Sequence, residues 1–341
     1  MAEELANPVI NSRYFKPQHE WGWQVALYLY LAGMGAGAVA IGLLMDWLGY
    51  SPYASRAILL WGPIFVGVGA SFLILKLGIK RRFLNTVLIP MPSWLSRGFY
   101  ILSVCIIVGM VLLVISLLPF LPSLGLNINI DMSNWSSAIR AMDIIVFIFA
   151  LATAVYTGIL IQAVKFVSFW HTYLLPALFT VSALSTGAVA TVLTTHIYDL
   201  LAFSEGYSSD MGHFIMNIEQ VLLPIEAIVL GLFLYSRYRT EEGQARNSVR
   251  LLLSGKMRPL FWLGVVVSGF VLPPILESIY SRLESPYLLY ALGAFVLASG
   301  LFLRVAIVYA GIKDQTPWQK FIEVQYYLKY PKAGSVPLRE F

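Results

Sequence analysis

Eight apolar stretches recur along this chain of 341 residues, and they constrain its fold more than any other feature. A transmembrane helix needs roughly 20 consecutive apolar residues. Each stretch is long enough to be one, and backbone polar groups in lipid must pair within such a helix. The predicted spans are residues 22–46, 57–79, 98–120, 139–165, 172–195, 215–237, 258–280 and 286–311.

Composition excludes a soluble enzyme. Hydrophobic residues make up 58% of the chain, charged residues 12%, and the mean hydropathy is +0.74. Soluble domains carry about 25% charged residues. We therefore predict an all-α integral membrane protein of about eight transmembrane helices, arranged as two four-helix bundles in a lipid bilayer.

The predicted parts of the chain are a polar segment 1–21, a transmembrane domain 22–311 and a polar tail 312–341. Residues 1–20 lack the apolar core of a signal peptide, so the first span is expected to be retained.

The distribution of basic residues predicts the orientation of these helices. Eight spans place both termini on one side of the membrane, here called the N-side. That side carries 19 of the 23 Lys and Arg residues, the opposite side carries three, and Arg304 falls inside the last span. The positive-inside rule then places both termini in the cytoplasm. This asymmetry accounts for the net charge of +5, so no nucleic-acid partner is needed to explain it.

Some residues within the spans have more than one interpretation. Gly33 and Gly37 share a face of the first span, which admits a neighbouring helix or a flat ligand. Helix packing alone is the simpler explanation. Tyr156 lies near the end of the fourth span, where a tyrosine is tolerated if its hydroxyl finds a partner. The single cysteine, Cys105, can form neither an iron–sulfur cluster nor an internal disulfide by itself, and we interpret it as a packing residue.

Several sequence motifs follow one another along the spans. The motifs share small residues, aromatic residues and a fixed order. They are Leu29-Tyr-Leu-Ala-Gly-Met-Gly-Ala-Gly37, Ser93-Trp-Leu-Ser-Arg-Gly98, Tyr156-Thr-Gly-Ile-Leu160, Ser182-Ala-Leu-Ser-Thr-Gly187, Phe261-Trp-Leu-Gly-Val-Val-Val-Ser-Gly269 with Pro273, Leu303-Arg304 and Ala310-Gly311. Taken together in this order, they resemble the NrfD-like family, the quinone-interacting membrane subunits of polysulfide reductase and its relatives.

The resemblance implies a function in a respiratory oxidoreductase complex of a prokaryotic inner membrane. Such a subunit binds no metal or haem and exchanges electrons between menaquinone, or another quinone, and a ferredoxin-like iron–sulfur subunit. That partner serves a catalytic subunit, often a molybdopterin enzyme. In this family the quinone head lies near the start of the first helix and contacts a tyrosine, here Tyr156. The family's polar partner before that helix corresponds best to His19.

Topology brings further candidates to the same membrane face. A quinone ring needs apolar walls and a few hydrogen-bonding groups, and its reduction needs protons. We expect His19, Glu20 and Tyr156 to act as the catalytic groups. For His19 and Arg97, solvated or headgroup-facing positions remain alternatives. The expected quinone-binding residues are Trp21, Gly33, Gly37, Arg97, Tyr100, Tyr156 and Trp170.

Ionisable residues inside spans are costly and are functional candidates. Glu219 and Glu226 are seven residues apart and share a helix face, with Pro224 expected to interrupt the helix between them. We favour positions near the outer headgroups for Asp143 and Glu277. The candidate proton route from the outer side comprises His196, Asp199, Glu219, Glu226 and Arg304.

Two other functions remain open. A di-haem cytochrome b anchor would use the four histidines, two on each side, although haem ligands of such anchors normally lie within helices. A secondary transporter would use intramembrane charges and broken helices, such as those expected at Pro224 and at Pro273-Pro274. The two halves of the chain show no matching pattern of such breaks.

Overall fold

The computed structural model describes residues 21–50, 52–76, 94–118, 135–202, 209–240, 243–283 and 285–314. In these ranges the protein is almost entirely helical and has no β-strand, and eight of its helical segments are long and apolar enough to cross a membrane. The prediction of an all-α protein with about eight spans is therefore confirmed.

Most helices begin and end within about five residues of the predicted spans, but the fifth ends seven residues later than predicted and the sixth begins six residues earlier. Each of the first six spans is a single α-helix. A short amphipathic helix follows, then the seventh span, which consists of a π-helix and an α-helix, and then the eighth span, which is again a single α-helix. In chain order the elements are α1 (Trp23–Trp47), α2 (Pro52–Lys76), α3 (Trp94–Leu117), α4 (Ser136–Gln162), α5 (Leu174–Ala202), α6 (Ser209–Arg239), α7 (Ala245–Leu253), a π-helix (Leu260–Val271), α8 (Leu272–Leu283) and α9 (Pro286–Ala310).

The spans pack as two groups of four. Helices α1 to α4 pack in a ring, each against its neighbours, and α5, α6, the seventh span (the π-helix with α8) and α9 form a second ring. This grouping agrees with the prediction of two four-helix bundles, although α5 also packs against α1, α2 and α4. Helix α1 also packs against α5 and α9, so it joins the bundles. This central position explains why most of its side chains are buried.

Glycines allow the close crossing of α1 and α5. A Cβ at Gly37 would overlap the backbone of Ala183, and one at Gly187 would overlap the backbone of Gly37. Small residues let membrane helices approach closely, which maximises van der Waals contact where lipid offers no hydrophobic driving force. The helix-packing interpretation of Gly37 is supported by this contact.

Proline does not interrupt the sixth span, and that prediction was wrong. Helix α6 runs without a break from Ser209 to Arg239, through Pro224. Membrane helices tolerate proline because neighbouring groups satisfy the freed carbonyl. In the seventh span the irregularity is a π-helix that ends at Val271, directly before Leu272 and Pro273. Helical backbone continues there as well, so the predicted break is a change of helix type.

Polar contacts join the N-side ends of four helices. The Asp314 carboxylate, just beyond α9, accepts hydrogen bonds from the backbone N–H and hydroxyl of Ser168 and from the backbone N–H of Gln244. Arg237 at the end of α6 donates to the carbonyls of Ser168 and His171. The α4–α5 connection is therefore bonded to the ends of α6 and α9. These contacts make the N-side one connected face.

Candidate functional site

A cavity of about 230 Å³ lies between α2 and α3 in the N-side half of the first bundle. This volume is somewhat below the roughly 300–1,000 Å³ of pockets that enclose whole ligands. Its walls are mainly apolar, with two serines and one tyrosine. The described residues that line it are Gly67, Ala70, Ser71, Leu73, Ile74, Leu95, Phe99, Leu102, Ser103, Ile106 and Tyr156.

Tyr156 of α4 forms the buried wall of this cavity. Its side chain is 2% exposed, and its hydroxyl has no hydrogen-bond partner among the described residues. A buried hydroxyl without a partner costs about 1–3 kcal/mol. The phenol packs directly on Gly98, where a Cβ would overlap the ring. The glycine of the Ser93–Gly98 motif therefore makes room for the tyrosine of the Tyr156–Leu160 motif.

Sequence reasoning missed Tyr28. This residue of α1 is fully buried, and its hydroxyl also lacks a partner among the described residues. It lies close enough to Tyr156 for the two phenols to interact electrostatically. Its position, just before the glycine motif, was visible in the sequence, but the span contains two tyrosines. Periodicity alone could not tell which one faces α4.

The predicted aromatic residues Trp21 and Trp170 meet at the same membrane face. Their rings make an edge-to-face contact with 6.1 Å between centroids. Trp170 is fully buried, and its indole N–H donates to the carbonyl of Ile307 over 2.9 Å. These rings connect the start of α1 to the end of α9. They lie on the N-side with the cavity, but neither residue lines it.

Four other predicted quinone-binding residues lie away from the cavity lining. Arg97 stacks over the ring of Trp94, with 4.8 Å from its guanidinium carbon to the ring centroid. Tyr100 is 38% exposed and contacts Phe99 edge to face. Gly33 and Gly37 face α5 instead, beside Ala183.

Three predicted residues cannot be placed at atomic detail. His19 and Glu20 lie outside the described residues. Asp199 belongs to α5, but its side chain is outside the described part. Their assigned roles stay predictions.

The second bundle holds a buried polar cluster around Arg304, Glu226 and Glu219. Arg304 of α9 is fully buried and donates to the hydroxyl of Ser182 and the carbonyls of Gly300 and Phe179. Ser182 also forms a hydrogen bond with Glu226, and the positive charge of Arg304 interacts electrostatically with the same carboxyl group. The structure thus brings together Arg304 and Glu226, for which the sequence offered no proof of contact.

Glu219 extends this cluster by two helical turns toward the outer side. Its Oε1 accepts a hydrogen bond of 2.7 Å from Ser185, and its Oε2 has no partner among the described residues. Both glutamates line a polar cavity of about 10 Å³, roughly the volume that one water molecule needs. Ser182 and Ser185 line the same cavity, so hydroxyl groups lie beside both carboxyl groups.

Further polar residues lie nearer the outer side. Glu277 of α8 accepts a hydrogen bond of 3.1 Å from Gln220 and shares a mainly apolar groove with Glu219. His196, near the end of α5, pairs with the hydroxyl of Tyr290 at 2.9 Å. Glu277 is half-buried, and its expected position near the outer headgroups stays a prediction.

Within the described ranges, no group of three or more His, Cys, Asp or Glu side chains could hold a metal ion. The fold and the two polar regions define the class of this protein. It is a multi-pass membrane protein with an apolar, tyrosine-lined cavity in one bundle and a buried charge cluster in the other.

Comparison with known proteins gives the family. The model of the polysulphide reductase NrfD family matches residues 13–314, so the protein belongs to that family. It is 27% identical over 312 residues to the C subunit of polysulfide reductase from Wolinella succinogenes, an alignment covering 85% of the present sequence and 94% of that subunit. It is 28% identical over 307 residues to protein NrfD of Escherichia coli, with the same coverage. Its match to the NrfD homolog of Haemophilus influenzae is 26% over 316 residues, covering 87% and 96%.

Proposed function

We propose that this protein is the quinone-reactive membrane subunit of a respiratory oxidoreductase complex, and that the quinone ring binds in the cavity between α2 and α3. The observation that carries the proposal is the buried hydroxyl of Tyr156, which lines a mainly apolar cavity and has no partner among the described residues. Ligand pockets combine such walls with a few polar groups that orient the ligand.

The cavity residues suit a flat ring that carries carbonyl oxygens. The hydroxyl of Tyr156 donates a hydrogen bond to one carbonyl, while side chains such as Phe99 and Ile106 contact the ring faces. When bound, a quinone supplies two-electron chemistry coupled to protons. His19 and Glu20 are the proposed proton-exchanging groups, because they precede α1 on the same membrane face.

The N-side face suits a protein partner that carries electrons. The name of the Wolinella relative, which makes it one lettered component of polysulfide reductase, indicates an enzyme of several subunits. We propose a ferredoxin-like iron–sulfur subunit on the N-side and, beyond it, a catalytic subunit of the molybdopterin type, the latter by resemblance alone. Arg237, Gln244 and Asp314 make this face one bonded surface. In this proposal both termini face the cytoplasm of a prokaryotic cell and the domains divide at residues 21 and 311.

Filling the cavity tests the quinone site. A Cβ at Gly67 would contact only Ile106, at 4.0 Å, so Gly67→Leu adds its bulk to the cavity and leaves the backbone in place. Gly231→Leu is the matched control, because a Cβ there meets nothing within 4 Å. We expect Gly67→Leu to abolish oxidation of a water-soluble quinol analogue by the intact complex. Gly231→Leu should retain it.

The result has a clear contrary outcome. If both variants assemble and turn over the analogue at the wild-type rate, the ring does not bind between α2 and α3. Assembly is checked by co-purification of the partner subunits, so a folding defect is not mistaken for a lost site.

The buried cluster supports a second activity, transfer of protons from the outer side. Glu219, Glu226 and Arg304 interact through Ser182 and Ser185 at the centre of the second bundle. Charged residues at that depth normally serve transport or proton transfer. In proteoliposomes, Glu226→Gln should lower the number of protons moved per electron while electron transfer persists. If the number of protons moved per electron is unchanged, the cluster has only a structural role.

The two alternative functions have direct tests. A reduced-minus-oxidised optical spectrum of the purified protein with a b-type band would support a di-haem cytochrome. Substrate uptake into vesicles that contain this protein without redox partners would support a transporter.

A further inference from the structure

Two serines line the cavity, and they differ in one respect. The hydroxyl of Ser71 on α2 donates to the carbonyl of Gly67, one turn earlier, at 3.0 Å. The hydroxyl of Ser103 on α3 makes no hydrogen bond to any described residue. A membrane helix normally satisfies a serine by such a bond to its own backbone. Ser103 therefore offers a hydroxyl to the cavity, and Ser71 does not.

Ser103 and Tyr156 present their hydroxyls at two different depths. The phenol of Tyr156 packs at the level of Gly98, and Ser103 follows Gly98 by five residues. Five residues of α-helix rise about 7.5 Å. Two hydroxyls at different depths suit a ring with carbonyl oxygens at opposite ends, because each oxygen can then accept a hydrogen bond of roughly 2.8 Å from its own partner.

Exposure along the cavity lining shows how a ligand reaches these groups. Ser71 is exposed on the surface of the bundle, whereas Leu102 and Tyr156 are buried. Val68 and Ile107 beside the cavity are apolar and exposed, as residues on the lipid-covered surface of a membrane-spanning bundle are expected to be. The cavity thus leads from the lipid-facing surface between α2 and α3 to the buried tyrosine. A ring dissolved in the bilayer enters sideways, without crossing either membrane surface.

We propose that Ser103 is the second hydrogen-bonding residue of the quinone site, and that the ring enters from the bilayer between α2 and α3. In this arrangement the Ser103 hydroxyl donates to the carbonyl oxygen opposite the one bound by Tyr156. The proposal rests on the proposed function, and adds the residue that fixes the orientation of the ring.

Serine-to-alanine variants test the assignment in a matched pair. The full-length protein in nanodiscs is titrated with menadione, a naphthoquinone with two opposed carbonyls, competing against a fluorescent hydroxyquinoline N-oxide. We expect Ser103→Ala to weaken menadione binding about 3–10-fold, the effect of one lost hydrogen bond. Ser281→Ala, on α8 of the other bundle, should bind as the wild type does, because its hydroxyl is bonded to the carbonyl of Ser278 and it does not line the cavity.

A ligand with one carbonyl separates a lost hydrogen bond from a general change of shape. With 1-tetralone as the competitor, Ser103→Ala should weaken binding clearly less than it does with menadione, because Tyr156 can donate a hydrogen bond to the single carbonyl. Equal losses for both ligands, or equal behaviour of the two serine variants, would overturn the assignment of Ser103.

Failure of this inference can be told from failure of the proposed function. If menadione displaces the probe from the wild type and Gly67→Leu abolishes binding, but Ser103→Ala has no effect, the site stands and Ser103 has no part in it. If the wild type binds neither probe nor menadione, the quinone site itself is refuted, and the inference falls with it.

Discussion

The two bundles contain buried polar groups of opposite character. In the first, Tyr28 and Tyr156 each bury a hydroxyl without a partner among the described residues, beside a cavity of about 230 Å³. In the second, Arg304 and two glutamates share serine hydroxyls around a cavity of about 10 Å³. The first bundle therefore leaves hydroxyl groups without a partner beside a cavity. In the second bundle, most of the buried polar atoms form hydrogen bonds with one another.

This difference separates a binding site from an internal charge network. A neutral hydroxyl beside an apolar cavity costs little to keep unpaired and gains a bond when a ligand arrives. A charge in the membrane interior is too costly to leave without compensation, so its partners must be built into the fold. We therefore expect substitutions in the first bundle to alter ligand affinity, and those in the second to alter stability and proton movement.

The largest effect is expected at Arg304. Arg304→Met leaves Glu226 without its compensating charge, which should destabilise the second bundle by about 3–5 kcal/mol. Unfolding in mixed micelles measures this loss. The double variant Arg304→Met with Glu226→Leu removes both charges and should regain most of it. If the double variant loses as much stability as the two single variants together, the two charges do not compensate each other.

A smaller effect, confined to the first bundle, is expected at Gly98. Gly98→Ala places a methyl group where the phenol of Tyr156 lies, so the ring must move. We expect quinone affinity to fall at least tenfold, while overpacking costs roughly 1–3 kcal/mol of stability. Gly231→Ala, which meets open space, serves as the control in the same binding titration. Normal affinity in Gly98→Ala would mean that the position of Tyr156 does not matter.

At Tyr156 the expected change is in turnover alone. Tyr156→Phe removes the hydroxyl that has no partner among the described residues, so stability should be unchanged or slightly higher. Quinone-linked activity should fall about 3–10-fold if the hydroxyl only binds the ring. A fall of roughly 100-fold or more would add a role in proton transfer. Unchanged turnover together with unchanged inhibitor binding would remove Tyr156 from the site.

At Ser185 an effect on stability alone is expected. Ser185→Ala removes the hydrogen bond to Glu219 and should cost about 1–2 kcal/mol, because that carboxyl is buried. Affinity for menadione should be unaffected, since the cavity lies in the other bundle. Measuring stability and binding on the same sample tests whether the two regions act independently. Weaker menadione binding would show that they are coupled.

The sequence by itself determined the membrane class, the eight spans and most of their boundaries. Long apolar runs have few alternatives in lipid, because only helices satisfy the backbone there. Motif order was enough to indicate the family, and the motifs singled out Tyr156 and the glycine pair. Depth along each helix could also be counted, which placed Glu226 in the interior.

Tertiary structure decided which faces meet. Apolar residues are distributed nearly uniformly around most of the spanning helices, so sequence periodicity does not say which face turns toward a neighbour or toward lipid. For this reason the sequence could not tell that Arg97, Tyr100, Gly33 and Gly37, all predicted to bind quinone, do not line the cavity between α2 and α3. Packing also showed that Gly98 accommodates Tyr156, and that Ser182 lies between Arg304 and Glu226. Contacts between helices far apart in the sequence depend on how the bundles assemble, and no local pattern encodes them.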